Sequence, residues 1–155
     1  MRVIFKTVLA IAFIALLASC SSGPRKRVNP PKASIQQLAV QPNGQWKISL
    51  RLQNFSNVGT DFASVDATLH IGGQDAGRIQ VSPGINVGPE SADVVETTLT
   101  PTLGGKLVVA SALAAHQSAT YTLTGSISTT KPKGTYNFTH DSQLDPAPGL
   151  NGVMR

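Results

Sequence analysis

From Gln45 to Gln53 the chain alternates without a break, with Trp46, Ile48, Leu50 and Leu52 on one side and Lys47, Ser49, Arg51 and Gln53 on the other. A period of two matches the pleat of a β-strand, whose successive side chains point to opposite faces, and does not fit one face of a helix. A strand patterned this way buries one face and wets the other, as half-buried antiparallel strands do. The same alternation sets Val65, Ala67, Leu69 and Ile71 against Asp66, Thr68 and His70. It recurs with Tyr121, Leu123, Gly125 and Ile127 against Thr122, Thr124 and Ser126. Weaker strand patterns cover Ile35 to Val40, Ala76 to Val81, Asp93 to Thr100 and Thr135 to His140. Between them stand turn formers: Gln41-Pro42-Asn43-Gly44, Gly72-Gly73, Ser82-Pro83-Gly84, Gly88-Pro89 and Lys131-Pro132-Lys133-Gly134. Seven short strands with this punctuation predict an all-β domain, a sandwich or a barrel.

The inward positions are medium-sized aliphatics, Ile48, Leu50, Leu52, Val65, Leu69, Leu123 and Ile127, with Trp46 as the first inward residue of the best strand. Side chains of that size fill the roughly 10 Å between two sheets, so a full interior with no ligand-sized void is expected. One segment departs from the rhythm. Leu103 to His116 lacks proline and is rich in alanine, and Leu103, Leu107, Ala110 and Ala114 recur at helical spacing. The pattern predicts one amphipathic helix, opened by Pro101 and Thr102, covering an open end or edge of the strands. Gly104 and Gly105 in its first turn each weaken it by about 1 kcal/mol.

The N-terminal region is of a different kind. Val8 to Leu17 form a ten-residue apolar run preceded by Arg2 and Lys6, too short for a bilayer that needs about 20 residues. Leu17-Ala18-Ser19-Cys20 then closes on the only cysteine of the chain. The arrangement resembles the lipobox of bacterial lipoproteins, which implies that residues 1–19 are a cleaved signal peptide and that Cys20 carries a covalent lipid, with no other cofactor. A lone thiol in an oxidising compartment otherwise lacks a role. Residues 20–34 are basic and proline-rich with little apolar content, and are expected to form a flexible tether. Residues 35–150 form the expected single domain. Ser21 is not Asp, which for a Gram-negative lipoprotein implies the periplasmic side of the outer membrane.

The formal charge of +5 resides in the N-terminal part. Six of the 13 basic residues (Arg2, Lys6, Arg25, Lys26, Arg27 and Lys32) precede residue 33, leaving seven against eight acidic residues, a domain charge of −1. The basic cluster beside Cys20 therefore suits anionic headgroups, at about 1 kcal/mol per charge, and nucleic acid is not an expected partner.

Several features together resemble the late embryogenesis abundant type 2 family, whose members contain the domain named for water stress and hypersensitive response. These are an opening strand with Ile35, Leu38 and Val40, a Trp-bearing strand ending in Asn54-Phe55-Ser56-Asn57, the run Phe62 to Gly73, and a close at Asp145-Pro146-Ala147-Pro148-Gly149-Leu150. The resemblance covers roughly residues 33 to 150 and implies a seven-stranded, fibronectin- or immunoglobulin-like antiparallel β-sandwich with one helix near residues 103–116. Where the family commonly has Asn-Pro-Asn, Asn54 and Asn57 here bracket Phe55 and Ser56, which leaves a turn role for Asn54. Pro146, Pro148 and Gly149 mark the closing segment.

No motif for catalysis or metal binding is present: His70, His116 and His140 fall on three separate elements, without HExxH, GxSxG or a Walker loop. The expectation is a non-enzyme, a membrane-anchored envelope lipoprotein with a stress-protective (desiccation or water-stress) or protein-interaction role. Two alternatives stand beside it, a module binding lipid or another apolar ligand, and a structural subunit of an envelope complex docking through the helix or the Pro146 to Leu150 end.

Overall fold

The computed structural model describes residue 23 and residues 25–155. The signal segment 1–19 and Cys20 lie outside the described residues. Among the described residues, nine strands and one helix follow in the order β1 (Lys32–Val40), β2 (Trp46–Gln53), β3 (Thr60–Ile71), β4 (Gln74–Val81), β5 (Ile85–Val87), β6 (Ala92–Leu99), α1 (Leu103–Ala115), β7 (Ala119–Lys131), β8 (Lys133–Leu144) and β9 (Val153–Met154). One sheet has the order β6-β2-β1-β9. The other has the order β4-β3-β7-β8, with β5 pairing the first residues of β3. Every pairing is antiparallel, and the two sheets face each other as a sandwich. The seven expected strands are all present, each within a longer or shifted span, and the two short strands β5 and β9 are additions.

The sandwich forms because the alternating rows meet. On β2, Trp46, Ile48, Leu50 and Leu52 are all but fully buried, as are Val65, Leu69, Leu123 and Ile127 on the facing sheet. Burying each such aliphatic is worth roughly 1.5–3 kcal/mol. The three ion pairs among the described residues, Arg27–Glu90, Lys47–Glu96 and Arg78–Asp66, all lie at the surface, where about 0–1 kcal/mol each is usual. Apolar burial therefore sets the architecture, and the charges decorate it.

The turn between β3 and β4 holds Gly72 at φ 55° and Gly73 at φ 76°. Two successive positive φ angles are what a tight hairpin matching the strand twist demands, and glycine supplies them without steric cost.

Two boundaries differ from the sequence expectation. β1 starts at Lys32, three residues before the expected domain start at 35, because Lys32, Ala33 and Ser34 continue the ladder opposite Gln53, Leu52 and Arg51. At the other end the domain runs beyond residue 150. Val153 and Met154 pair with Ala39 and Leu38 of β1, and Met154 is fully buried. A two-residue strand is too short to show a period, so the alternation could not reveal it.

The helix is where expected, but it presents the other face. Leu103 is 73% exposed and Leu107 60%, and Ala110 and Ala114 are exposed too. The buried residues are Gly105, Val109 and Ala112. The reason is packing distance: a Cβ on Gly105 would lie 2.8 Å from the Cα and Cβ of Ala76 and 3.3 Å from the Trp46 ring. The bare glycine lets the helix backbone settle onto β4 at Ala76, and with that side of the helix against the strand Leu103 and Leu107 face outward. Because the helix is apolar on nearly every side, periodicity alone did not choose between faces. Thr102 caps the N-terminus, its hydroxyl accepting from the Gly105 N–H at 3.1 Å and donating to the Asp75 carbonyl. His116 ends the helix in the left-handed region at φ 52°, and the Gln117 N–H reaches back to the Ala112 carbonyl at 2.9 Å.

Trp46→Ala removes a ring on which both sheet and helix rest and should cost roughly 3–5 kcal/mol. Leu107→Ser should change stability by no more than about 0.5 kcal/mol, as at other uncommitted surface positions. Urea unfolding of the two variants checks both, and a large loss for Leu107→Ser would place the burial on the face first expected.

Candidate functional site at the two ends of the sandwich

β3 is 12 residues long, which separates the two ends of the sandwich by about 40 Å at the usual rise per residue. Each end has its own chemistry. At one end the chain enters, beside the β2–β3 and β5–β6 loops. The other end carries α1 and the C-terminal turn.

The entry end is organised by Asn54, one of the few buried polar residues. Its amide nitrogen donates to the carbonyls of Val58 (2.8 Å), Val87 (3.1 Å) and Gly88 (2.8 Å), and its oxygen accepts from the Ser56 N–H at 2.9 Å. One side chain thus supplies partners to backbone groups of the β2–β3 loop, of the end of β5 and of the β5–β6 loop. Asn54 thus joins the β2–β3 loop, where the sequence left it a turn role, to the β5–β6 connection. Asn57 has a different task. Its side chain accepts from the Arg27 N–H at 2.7 Å and donates to the Arg25 carbonyl at 2.8 Å, while its own N–H donates to the Arg27 carbonyl at 3.1 Å. Asn29 adds bonds to the Ser56 hydroxyl (2.9 Å) and the Phe55 carbonyl (2.7 Å). Part of the stretch expected to be a tether, from Arg25 to Asn29, therefore lies bonded along the 54–57 loop. Its polar composition hid this, because the bonds depend on a loop that only folding brings near.

The register also places Lys131 opposite Asp61, and Lys32 opposite Gln53. The β7–β8 turn thereby delivers Lys131 and Lys133 to the entry end, and both are exposed. Phe55 and Val28, 36% and 46% exposed, lie at this end too.

At the far end a groove of about 500 Å³ runs beside α1, lined by Gly72, Leu107, Val108, Ser111 and Ala115 among others. Next to it, Pro146, Pro148 and Gly149 line a concavity with Leu113 and His116. Pro146 bridges to Met154, and Asp145 and Arg155 exchange backbone bonds at 2.6 and 2.8 Å. The proline-rich close is thus the outgoing arm of a hairpin that returns β9 to the first sheet. A third depression, on the outer face of the second sheet, is lined by Asp66, Thr68, Arg78, Thr124 and Asn137 among others. Arg78 grips both Asp66 oxygens at 2.6 Å, and Gln80 adds a bond at 3.1 Å. The guanidinium holds the Asp66 carboxyl below the usual carboxylate range, so this carboxylate is committed to a surface pair. None of these concavities is lined by Ile48, Leu50, Leu52, Val65, Leu69, Leu123 or Ile127.

His70 lies on β3, His116 caps α1 and His140 lies on β8. Among the described residues no three His, Cys, Asp or Glu side chains gather as a metal site would require, and no helix is long and apolar enough to cross a membrane. The His140 ring instead tilts against Tyr121, with centroids 5.9 Å apart. The buried Tyr121 hydroxyl accepts the Ile35 N–H from the opposite sheet at 3.1 Å, beside the register shift between Ile35 and Gln37. Burial pushes its phenol above the ordinary value, against the opposing pull of its hydrogen bonds.

No protein-family model matches the chain, and no curated protein matches it either. Solved structures do. A protein from Archaeoglobus fulgidus aligns at 15% identity and a TM-score of 0.42, over 78% of this chain and 98% of its own. AT1g01470 from Arabidopsis thaliana, known from a solution structure, aligns at 11% identity and a TM-score of 0.49, over 83% of this chain and 85% of its own. The Northeast Structural Genomics Consortium target SoR45 aligns at 11% identity and a TM-score of 0.43, over 80% and 92%.

Asn54→Ala strips partners from three carbonyls and one amide at once and should destabilise the domain by about 3 kcal/mol or more. Hydrogen exchange at Asn29 should quicken in the same variant, because the loop that binds it loses its frame. For Tyr121 the sign follows from the raised pKa. The native state keeps the phenolic proton where the unfolded chain loses it, so this contribution is complete below about pH 10 and fades as pH rises toward the native value. Tyr121→Phe should cost about 1–3 kcal/mol at neutral pH through the orphaned Ile35 amide. It should also flatten the alkaline limb of the stability curve, measured by urea unfolding between pH 8 and 11. An unchanged alkaline limb would assign that loss to another group.

Proposed function

We propose that this chain is a non-catalytic, lipid-anchored protein of the bacterial cell envelope whose sandwich serves a protein-interaction or stress-protective role, as the late embryogenesis abundant type 2 resemblance implies. The observation that carries the reading is the entry of the chain. Arg25 to Asn29 are bonded to the Asn54–Asn57 loop, so an acyl group on Cys20, five residues upstream of Arg25, would hold that end at the membrane and direct α1 away from it. The interior supports a protein that presents surfaces. Its inward aliphatics are packed against each other, and the grooves around it do not reach them, which weighs against an enclosed lipid site. A structural subunit of an envelope complex is the second reading. It is favoured by Leu103 and Leu107, exposed on the end turned from the membrane, where an envelope protein with an apolar face would sit.

Cys20→Ser removes the sulfur that would be alkylated. Acyl chains at about 0.8 kcal/mol per buried methylene supply the attachment in this reading, so the variant should remain unprocessed or leave the membrane fraction. Normal cleavage together with retention in the membrane pellet after a high-salt wash would contradict the lipoprotein assignment.

A further inference from the structure

We propose that the entry end of the sandwich is itself a binding surface for an anionic lipid bilayer, adding to the attachment made by the acyl group. The inference rests on the anchored reading for its biological setting, but it stands on its own set of residues. Arg25, Lys26, Arg27 and Lys32 enter along this end, and the β7–β8 turn brings Lys131 and Lys133 to it from about 100 residues away in the sequence. All six are exposed. The acidic groups there are fewer. Glu90 is paired with Arg27 at 2.8 Å, Asp61 accepts a bond from Asn86, and Asp93 remains. Six cations thus face three acidic groups at this end, and the excess depends on the entry segment: without Arg25, Lys26, Arg27 and Lys32 the count would be two against three.

Charge alone would also suit other polyanions, and the apolar residues decide among them. Phe55 lies on the 54–57 loop, and Val28 on the segment that this loop binds; both are exposed, at 36% and 46%. An exposed aromatic on a loop at the same end as these cations matches a bilayer interface. There the ring reaches the headgroup boundary while the cations meet phosphates. The loop is also held rigidly, by the four bonds of Asn54 and those of Asn57, so presenting Phe55 costs little further ordering.

The test uses the polypeptide 21–155, which lacks the acylated cysteine and contains every buried core residue, from Ala33 to Met154. Its co-sedimentation with vesicles of phosphatidylglycerol and phosphatidylcholine is compared with pure phosphatidylcholine at low and high salt. Binding should require the anionic lipid and weaken with salt. Lys131→Gln and Lys133→Gln should each weaken it about fivefold, the factor that about 1 kcal/mol per charge represents. Phe55→Ser should weaken it at both salt concentrations, and Lys106→Gln, on α1 at the far end, should leave it unchanged. Equal binding by the Lys131 and Lys133 variants, equal binding to neutral vesicles, or no binding at all overturns the proposal. Failure of the Cys20→Ser fractionation would remove the acyl anchor alone, so the two ideas fail separately.

Discussion

The inward row of β2 is what the remaining elements are arranged around. Trp46, Ile48, Leu50 and Leu52 lie in one line on a strand flanked by β1 on one side and β6 on the other, and the second sheet closes over them with Val65, Leu69, Leu123 and Ile127. The dry layer between two such rows is about 10 Å thick, and side chains of this size fill it. Trp46 stands at the end of the row, where the sheets alone would leave the core open. There α1 comes in over Ala76 and the indole, admitted by the missing side chain of Gly105. The helix is thus a lid on the row, and its orientation follows from one glycine.

Polar groups inside this frame are few, and two of them join segments far apart in the chain. Asn54 connects the loops at the entry end, and Tyr121 reaches across the sheets to an amide beside the bulge of β1. Both act where strand pairing stops supplying partners, which is where buried polar side chains are worth their desolvation. The result is a domain with unlike ends: a polar, basic entry end stiffened by side-chain bonds, and a far end closed by a helix with leucines facing outward. An anchor at Cys20 would turn that difference into an orientation.

What the chain declared by itself was the alternation, and with it the strands and their inward residues; the alternation left a sandwich and a barrel both open, and the pairing of the strands decided for two sheets. Period-two patterning is a local property of consecutive side chains, so Trp46, Leu50, Leu69 and Leu123 could be assigned to the core without coordinates. The helix was legible in the same way, through alanine content and the absence of proline. Four further things were left to the tertiary structure: the face α1 buries, the strand at Val153 and Met154, the bonding of Arg25 to Asn29 along the 54–57 loop, and the meeting of Lys131 and Lys133 with the entry segment. Each depends on residues far apart in sequence, held by a contact distance or a backbone bond that no local pattern encodes. A nearly uniform apolar helix can bury either side until a glycine on one side meets a neighbouring strand, and that meeting exists only in the folded chain.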